Sequence, residues 1–329
     1  MIISRTPLRM SFAGGGSDIA SYYRQFGGAV VSTAIDKYIY INVNKKFDDG
    51  IRIAYSKNEE VQGVEKIEHP IVRATLEYLR ISGGIEITTI ADIPSSGTGL
   101  GSSSAFTVGL LNTLSAFLGG HRSAEQLARE ACYIEIDKCG EPIGKQDQYA
   151  CAFGGFNLME FHGNDTVSVK PIICAPQTLT TLQSRLLMFY TGKSRSASQL
   201  LETQTAVLAS DIKKQATMHA MVKLAFQFTA ELQANRCDAV GAILHEGWLM
   251  KKSLVSAISD DQIDIWYEKA RQAGAQGGRI LGAGAGGFLL LYALPDTHER
   301  ICQQLSNLRR VPVQFDPLGS RIIFYHPTP

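Results

Sequence analysis

No stretch of this 329-residue chain approaches the ~20 consecutive apolar residues that a membrane-spanning helix requires. An excess of charge is missing too. The 32 Lys and Arg nearly cancel the 31 Asp and Glu, leaving +1. That balance excludes a general field drawing the protein to nucleic acid or anionic lipid, so any anionic ligand must be held locally. The six cysteines, Cys132, Cys139, Cys151, Cys174, Cys237 and Cys302, form no C-x-x-C pair and match no zinc spacing. They are expected to be free thiols in a reducing compartment. The start of the chain, Met1 to Pro7, lacks the layout of a signal peptide. A cytoplasmic protein with no membrane and no nucleic-acid partner is expected. A Walker A loop is also absent. Gly192-Lys193-Ser194 has the tail of that motif, but Leu187 stands where its first glycine belongs. Gly282 to Gly287 spells G-x-G-x-x-G, yet the strand run Phe288–Tyr292 follows where a dinucleotide site needs a helix.

Apolar residues make up 45% of the chain, enough for a sizeable core. The first half alternates strand and helix signals. Ile39–Val43 and Ile85–Ile90 read as strands, Pro70–Leu79 and Ser102–Phe117 as helices. Ser123 and Gln126 form a capping box, and the helix it opens is expected to reach Lys138. Ser196 to Ala273 reads as mostly helical, with breaks near Asn235–Asp238 and Ser259–Asp261. Strands are expected at Arg185–Tyr190, Phe288–Tyr292, Val311–Phe315 and Arg321–Tyr325. Ile173–Leu182, with Pro176, reads as the linker. Two α+β domains are expected, residues 1–177 and 178–329, with a cleft between them.

The most informative segment is Pro94–Ala105. It follows a strand and opens a helix. Glycines let its backbone approach a phosphate, and the unpaired N–H groups of the first helical turn sit at the positive end of the helix dipole. Serine hydroxyls there suit Mg²⁺, which favours oxygen ligands. Arg9 lies in an apolar strand, where a buried guanidinium needs a carboxylate or phosphate partner. Asp18 follows three glycines and could cap the next helix or bind a substrate hydroxyl. Glu135 and Asp147 are the carboxylates best placed for phosphoryl chemistry, which needs metal, donors on the phosphates and a carboxylate at the acceptor hydroxyl. On type and spacing alone, either also suits a solvated helix face.

Pro7–Asp18, Pro94–Ala105 and Gly282–Gly287, in that order, resemble the three motifs of the GHMP kinases. The middle one is similar to their P-x-x-x-G-L-G-S-S-A loop. Thr6–Asp18, Gly144–Tyr149 and Tyr190–Ser198 resemble the D-glycero-D-manno-heptose 7-phosphate kinase branch of that family. The resemblance implies a two-domain GHMP kinase fold. Its N-terminal domain would be like domain 2 of ribosomal protein S5 and its C-terminal domain ferredoxin-like. It implies ATP and Mg²⁺ as cofactors. It places Gly97, Thr98, Gly99, Leu100, Gly101, Ser102, Ser103 and Ser104 on the nucleotide, and Ser103 with Glu135 on the metal. Asp147 then faces the acceptor hydroxyl, with Arg9 beside it. Gly15, Gly16, Ser17, Asp18 and Gly284 are expected at the sugar. Two departures are small: Ser104 stands where many members have alanine, and Ala285 replaces a glycine.

The activity so implied is phosphorylation of the anomeric hydroxyl of a sugar phosphate, D-glycero-D-manno-heptose 7-phosphate becoming the 1,7-bisphosphate. A distal phosphate on the acceptor calls for a second basic site, for which Lys193 and Arg195 are candidates, with Arg24 and Lys145 behind them. The alternatives are a GHMP kinase for fucose or a hexose, and a non-catalytic ligand sensor on the same fold.

Overall fold

A computed structural model describes residues 1–94, 97–193 and 197–327. Two sheets carry its strands. The first is built on the 18-residue strand Gly28–Lys45. Ile2–Ala13 pairs antiparallel along most of it, Ile85–Ala91 pairs with its second half and Phe156–Phe161 with its first. The strand is far longer than the expected Ile39–Val43, because it changes neighbours midway and runs through a register shift. That shift stands opposite Pro7/Leu8, where proline cannot donate to the ladder. Ile51–Ala54 lies parallel to Ile85–Ala91 and carries Asn58–Val61. Val167–Pro171 pairs with Phe156–Phe161. The late strand Arg321–Tyr325 returns to pair with Ile2–Arg5. The second sheet is antiparallel, in the order Arg309–Arg310, Leu186–Tyr190, Phe288–Ala293, Ala275–Ile280. The architecture is α+β, as expected.

Ser102–Phe117 is apolar on most sides because it is covered on most sides. It lies across Ile2–Ala13 and Gly28–Lys45, with Pro70–Leu79, Ala124–Cys132 and Gln146–Phe153 packed on its other faces. The capping box forms: Gln126 N–H donates to Ser123 Oγ at 3.2 Å and Ser123 N–H to Gln126 Oε1 at 2.8 Å. The helix it opens does not stay α-helical to Lys138. After Cys132 it becomes a π-helical turn, Tyr133–Lys138, with Cys139 N–H reaching back five residues to the Ile134 carbonyl.

The helical second half comprises Ala197–Ser210, Ile212–Gln233, Val240–Leu254 and Asp261–Gln272. Both expected breaks occur. An unexpected one falls at Asp211, whose carboxylate caps the next helix by accepting from the N–H groups of Lys213 and Lys214. Two other expectations are corrected. Most of the expected linker is helix, since Pro176 opens Pro176–Ser184 from a first-turn position that needs no donor. Val311–Phe315 is not a strand. Pro312 interrupts the ladder, and among the described residues the run keeps the Val311 N–H bond to the Met188 carbonyl and one bridge, between Ile35 and Phe315. Among the described residues no helix is long and apolar enough to cross a membrane.

Helix Ile212–Gln233 is fixed to the first sheet through Phe228. Its ring lies 5.1 Å from that of Phe12 and 6.2 Å from that of Phe156, and Phe228 is fully buried. Phe228→Ala is expected to lower the unfolding free energy by about 3–5 kcal/mol, measured by urea denaturation. A loss well under 1 kcal/mol would show that this contact does not hold the helix to the sheet.

Candidate functional site

Arg9 enters from the middle of Ile2–Ala13, and Asp147 from the first turn of Gln146–Phe153. They meet in a bidentate pair, Arg9 Nε to Asp147 Oδ1 at 2.7 Å and Nη2 to Oδ2 at 2.6 Å. The third guanidinium nitrogen, Nη1, donates to the Gly99 carbonyl at 2.6 Å. The Arg9 backbone N–H donates to the Leu100 carbonyl. One side chain therefore ties the glycine loop to the carboxylate. The Arg9 side chain is 4% exposed and that of Asp147 is 24% exposed, so the carboxylate alone faces solvent. Burial works against the Arg9 charge, but Asp147 outweighs it and the net shift is upward.

The glycine loop is held against the third glycine segment, backbone on backbone. A Cβ at Gly99, which sits at φ +75°, would stand 2.3 Å from the Leu281 carbonyl oxygen. Gly101, also at φ +75°, is the N-cap of Ser102–Phe117, and a Cβ there would press on Arg9 and Asp147. Ala285 takes φ +64°, the left-handed conformation for which glycine is suited; an L side chain there costs roughly 1–2 kcal/mol. Its N–H is anchored on the Ile258 carbonyl at 2.8 Å.

Glu135 sits in the π-helical turn and is fully buried. Its Oε1 accepts from Ser103 Oγ at 2.6 Å and its Oε2 from Gln148 Nε2 at 2.7 Å. Burial, only partly offset by the bonds from Ser103, Gln148 and Ser104, pushes its carboxyl up to about 7. It stands behind Ser103, which is exposed to the cleft. Ser103 is therefore the serine best set between the cleft and this carboxylate. Among the described residues no three acidic, Cys or His side chains group as a ready metal cage. One carboxylate and one hydroxyl, both hard oxygen donors, fit Mg²⁺ completed by water and phosphate oxygens.

A cleft of about 320 Å³ runs along these groups. It is lined by Gly97, Thr98, Gly99, Gly101 and Ser102–Ser104 and by Arg9, Gly15, Gly16, Asp18, Asp147 and Gly284. Leu100 turns its side chain into the core. Asp18 does not cap the following helix. It accepts from Gly16 N–H, Gln146 N–H and Gln146 Nε2, locking two loops together, and burial, with Asp147 nearby, raises its pKa. Three expected substrate groups are placed elsewhere or undescribed. Ser17 is fully buried, its hydroxyl donating to the Ala29 carbonyl and accepting from the Ala29 N–H. Lys193 does not line the cleft; it donates to Asp260 at 2.5 Å and lies over the Trp266 ring. Arg195 is outside the described residues. Arg24 and Lys145 both pair with Asp165.

The cleft also holds Gln146, Gln204, Lys251 and Arg279, which the motifs did not single out. A signal existed for Lys251. It falls with Leu244, Trp248 and Leu254 on one helical stripe, where a lysine breaks an apolar pattern.

Residues 66–155 match the model for the GHMP kinases N terminal domain, and residues 228–309 that for the GHMP kinases C terminal. The D-glycero-alpha-D-manno-heptose 7-phosphate kinase of Campylobacter jejuni subsp. jejuni serotype O:2 is 31% identical over 89% of this chain and 90% of its own length. The crystal structure of a D-glycero-D-manno-heptose 1-phosphate kinase from Bacteriodes thetaiotaomicron superposes with a TM-score of 0.81 at 28% identity, covering 99% of this chain and 100% of that one. A putative sugar kinase from Campylobacter jejuni gives 0.79 at 27% identity, covering 98% and 97%.

Glu135 predicts a pH dependence in the protein without divalent cation. The folded state binds its proton more tightly than the unfolded chain, so its ionisation removes stability as pH rises from about 4.5 to about 7 and removes no more above that. Glu135→Gln should therefore gain Tm relative to the parent across that window, then hold a constant difference. A difference independent of pH from 4 to 8 would contradict the assigned shift.

Proposed function

We propose, for a chain that belongs to the GHMP kinase family, that it transfers the γ-phosphoryl group of ATP to the anomeric hydroxyl of D-glycero-D-manno-heptose 7-phosphate. The observation that carries this reading is the Arg9–Asp147 pair, which joins a carboxylate open to the cleft to the carbonyl of the phosphate loop. The 31% identity to a heptose 7-phosphate kinase supports the acceptor.

Bound here, ATP supplies the phosphoryl group and Mg²⁺ neutralises charge on its phosphate oxygens. The N–H groups of Ser102, Ser103 and Ser104 open the helix and are free to donate to those oxygens, at the positive end of the dipole. Ser103 Oγ and Glu135 would hold the metal. An Asp147 oxygen accepts the proton of the acceptor hydroxyl, while Arg9 fixes the carboxylate plane through both oxygens. Asp18 and Gln146 line the acceptor side, with Gln146 Oε1 lacking a partner among the described residues and able to accept from a sugar hydroxyl. The two proposed domains, residues 1–177 and 178–329, both contribute to the cleft, with strand Arg321–Tyr325 crossing back to the first sheet. The free cysteines suit a cytoplasmic setting.

Asp147→Asn should lower kcat by about 10²–10⁴-fold in an ADP-release assay with heptose 7-phosphate, with the product carrying a new phosphate on the anomeric carbon by ³¹P NMR. Unchanged turnover, or a parent protein that releases no ADP with any sugar or sugar phosphate, would contradict the reading. Ser103→Ala should raise the Mg²⁺ concentration needed for half-maximal rate by tenfold or more, on the order of one charge-assisted contact. An unaltered Mg²⁺ dependence would remove Ser103 from the metal site.

A further inference from the structure

The cleft is lined by two buried cations that the mechanism leaves unused. Arg279, on strand Ala275–Ile280, and Lys251, on helix Val240–Leu254, both line the cleft and are each 3% exposed. Arg279 Nη1 donates to the Phe12 carbonyl at 3.0 Å, while Nη2 has no partner among the described residues. The Lys251 ammonium donates to one backbone carbonyl, that of Gly282. Gln204, from Ala197–Ser210, is 1% exposed and its Nε2 likewise lacks a partner among the described residues.

The carboxylates in reach, Asp18 and Asp147, are engaged by Gln146 and by Arg9, and among the described residues Arg279 and Lys251 form no salt bridge. Burial, then repulsion from Arg9, lowers Arg279 to about 10. Burial, then Arg279 and Arg9, pushes Lys251 well below its ordinary value. Two desolvated cations and two idle N–H donors cost stability in the empty protein. An anion would reverse that cost.

The location selects which anion. A Cβ at Gly15 would lie 3.7 Å from Arg279 Nη2, and one at Gly16 would lie 2.3 Å from Gln204 Nε2. Arg279 and Gln204 thus face the loop that carries Asp18, and Lys251, held on the Gly282 carbonyl beside Gly99, stands between that loop and the phosphate loop.

We propose that Arg279, Lys251 and the Gln204 amide form the pocket for the phosphate monoester at the far end of the acceptor sugar. This rests on the acceptor reading above. A dianion balances the two cations, the guanidinium presents a free donor, and the amide adds a neutral one. The pocket takes the role that the sequence offered to Lys193 and Arg195; the Lys193 charge is already answered by Asp260.

The test compares the parent with Arg279→Gln and Lys251→Met. Acceptors are heptose 7-phosphate and mannose 6-phosphate, against heptose and mannose. In both variants the preference for the phosphorylated sugar, as a ratio of kcat/KM values, should fall about 10- to 100-fold, and KM for ATP should move less than about threefold. Arg279→Lys should recover part of the preference. A preserved preference overturns the proposal. So does a loss that appears in KM for ATP, which would seat the transferred phosphate there instead. A second measurement needs no sugar. Inorganic phosphate should raise the Tm of the parent more than that of either variant, and Lys251→Met, which removes a buried charge, should have the higher ligand-free Tm. Equal phosphate shifts in all three proteins overturn the pocket. Failure of the parent to phosphorylate any of the four sugars would count against the acceptor reading alone, since the phosphate shift still decides the pocket.

Discussion

Arg9 makes the site a single object. Its guanidinium spends two nitrogens on Asp147 and the third on the Gly99 carbonyl, while its backbone N–H holds the Leu100 carbonyl. The phosphate loop and the acceptor carboxylate therefore cannot shift independently. Breaking a buried pair by removing one partner typically costs about 3–5 kcal/mol, because it strands the other charge. The constraint also explains the glycines around it. Gly101 leaves room for the pair beneath the helix start, and Gly99 lets the loop touch Leu281.

The rest of the fold serves to bring three chain segments to this point. Ile2–Ala13 supplies Arg9 from the middle of the first sheet. Ser102–Phe117 supplies the helix N-terminus from across that sheet. The π-helical turn at Tyr133–Lys138 aims Glu135 at Ser103 from behind. π-Helical turns recur where a side chain must be re-aimed at a functional site, and here the re-aimed group is a carboxylate whose burial leaves it in need of a cation. On the opposite wall, Arg279 and Lys251 need an anion. The cleft thus combines a cation-seeking carboxylate with two buried cations that form no salt bridge among the described residues.

Much of this was legible in the sequence. The three glycine segments, the phosphate-loop helix, the capping box and the α+β pattern are local signals, and local physics sets them. Arg9 was found because a charge in an apolar strand demands a partner. What stayed hidden depends on non-local packing. Nothing in Tyr133–Lys138 marks a π turn, since Ile134 and Ile136 suit an α-helix equally well. Ser17 is expected at the sugar, but the Ala29 backbone takes both of its bonding roles. Lys193 looked available until the fold brought Asp260 to it. Lys251 and Arg279 come from a helix and a strand that meet only in three dimensions, and Pro176, which reads as part of a linker, starts a helix.

The central claim is that Arg9 and Asp147 act as one unit in turnover. A double-mutant cycle tests it directly: kcat is measured for Arg9→Met, Asp147→Asn and the double variant under saturating ATP and acceptor. If the pair is one unit, the double variant is no slower than the slower single variant, within about threefold, because the second change has nothing left to remove. If the two losses multiply, the residues act separately, and the ion pair is not what joins the phosphate loop to the acceptor.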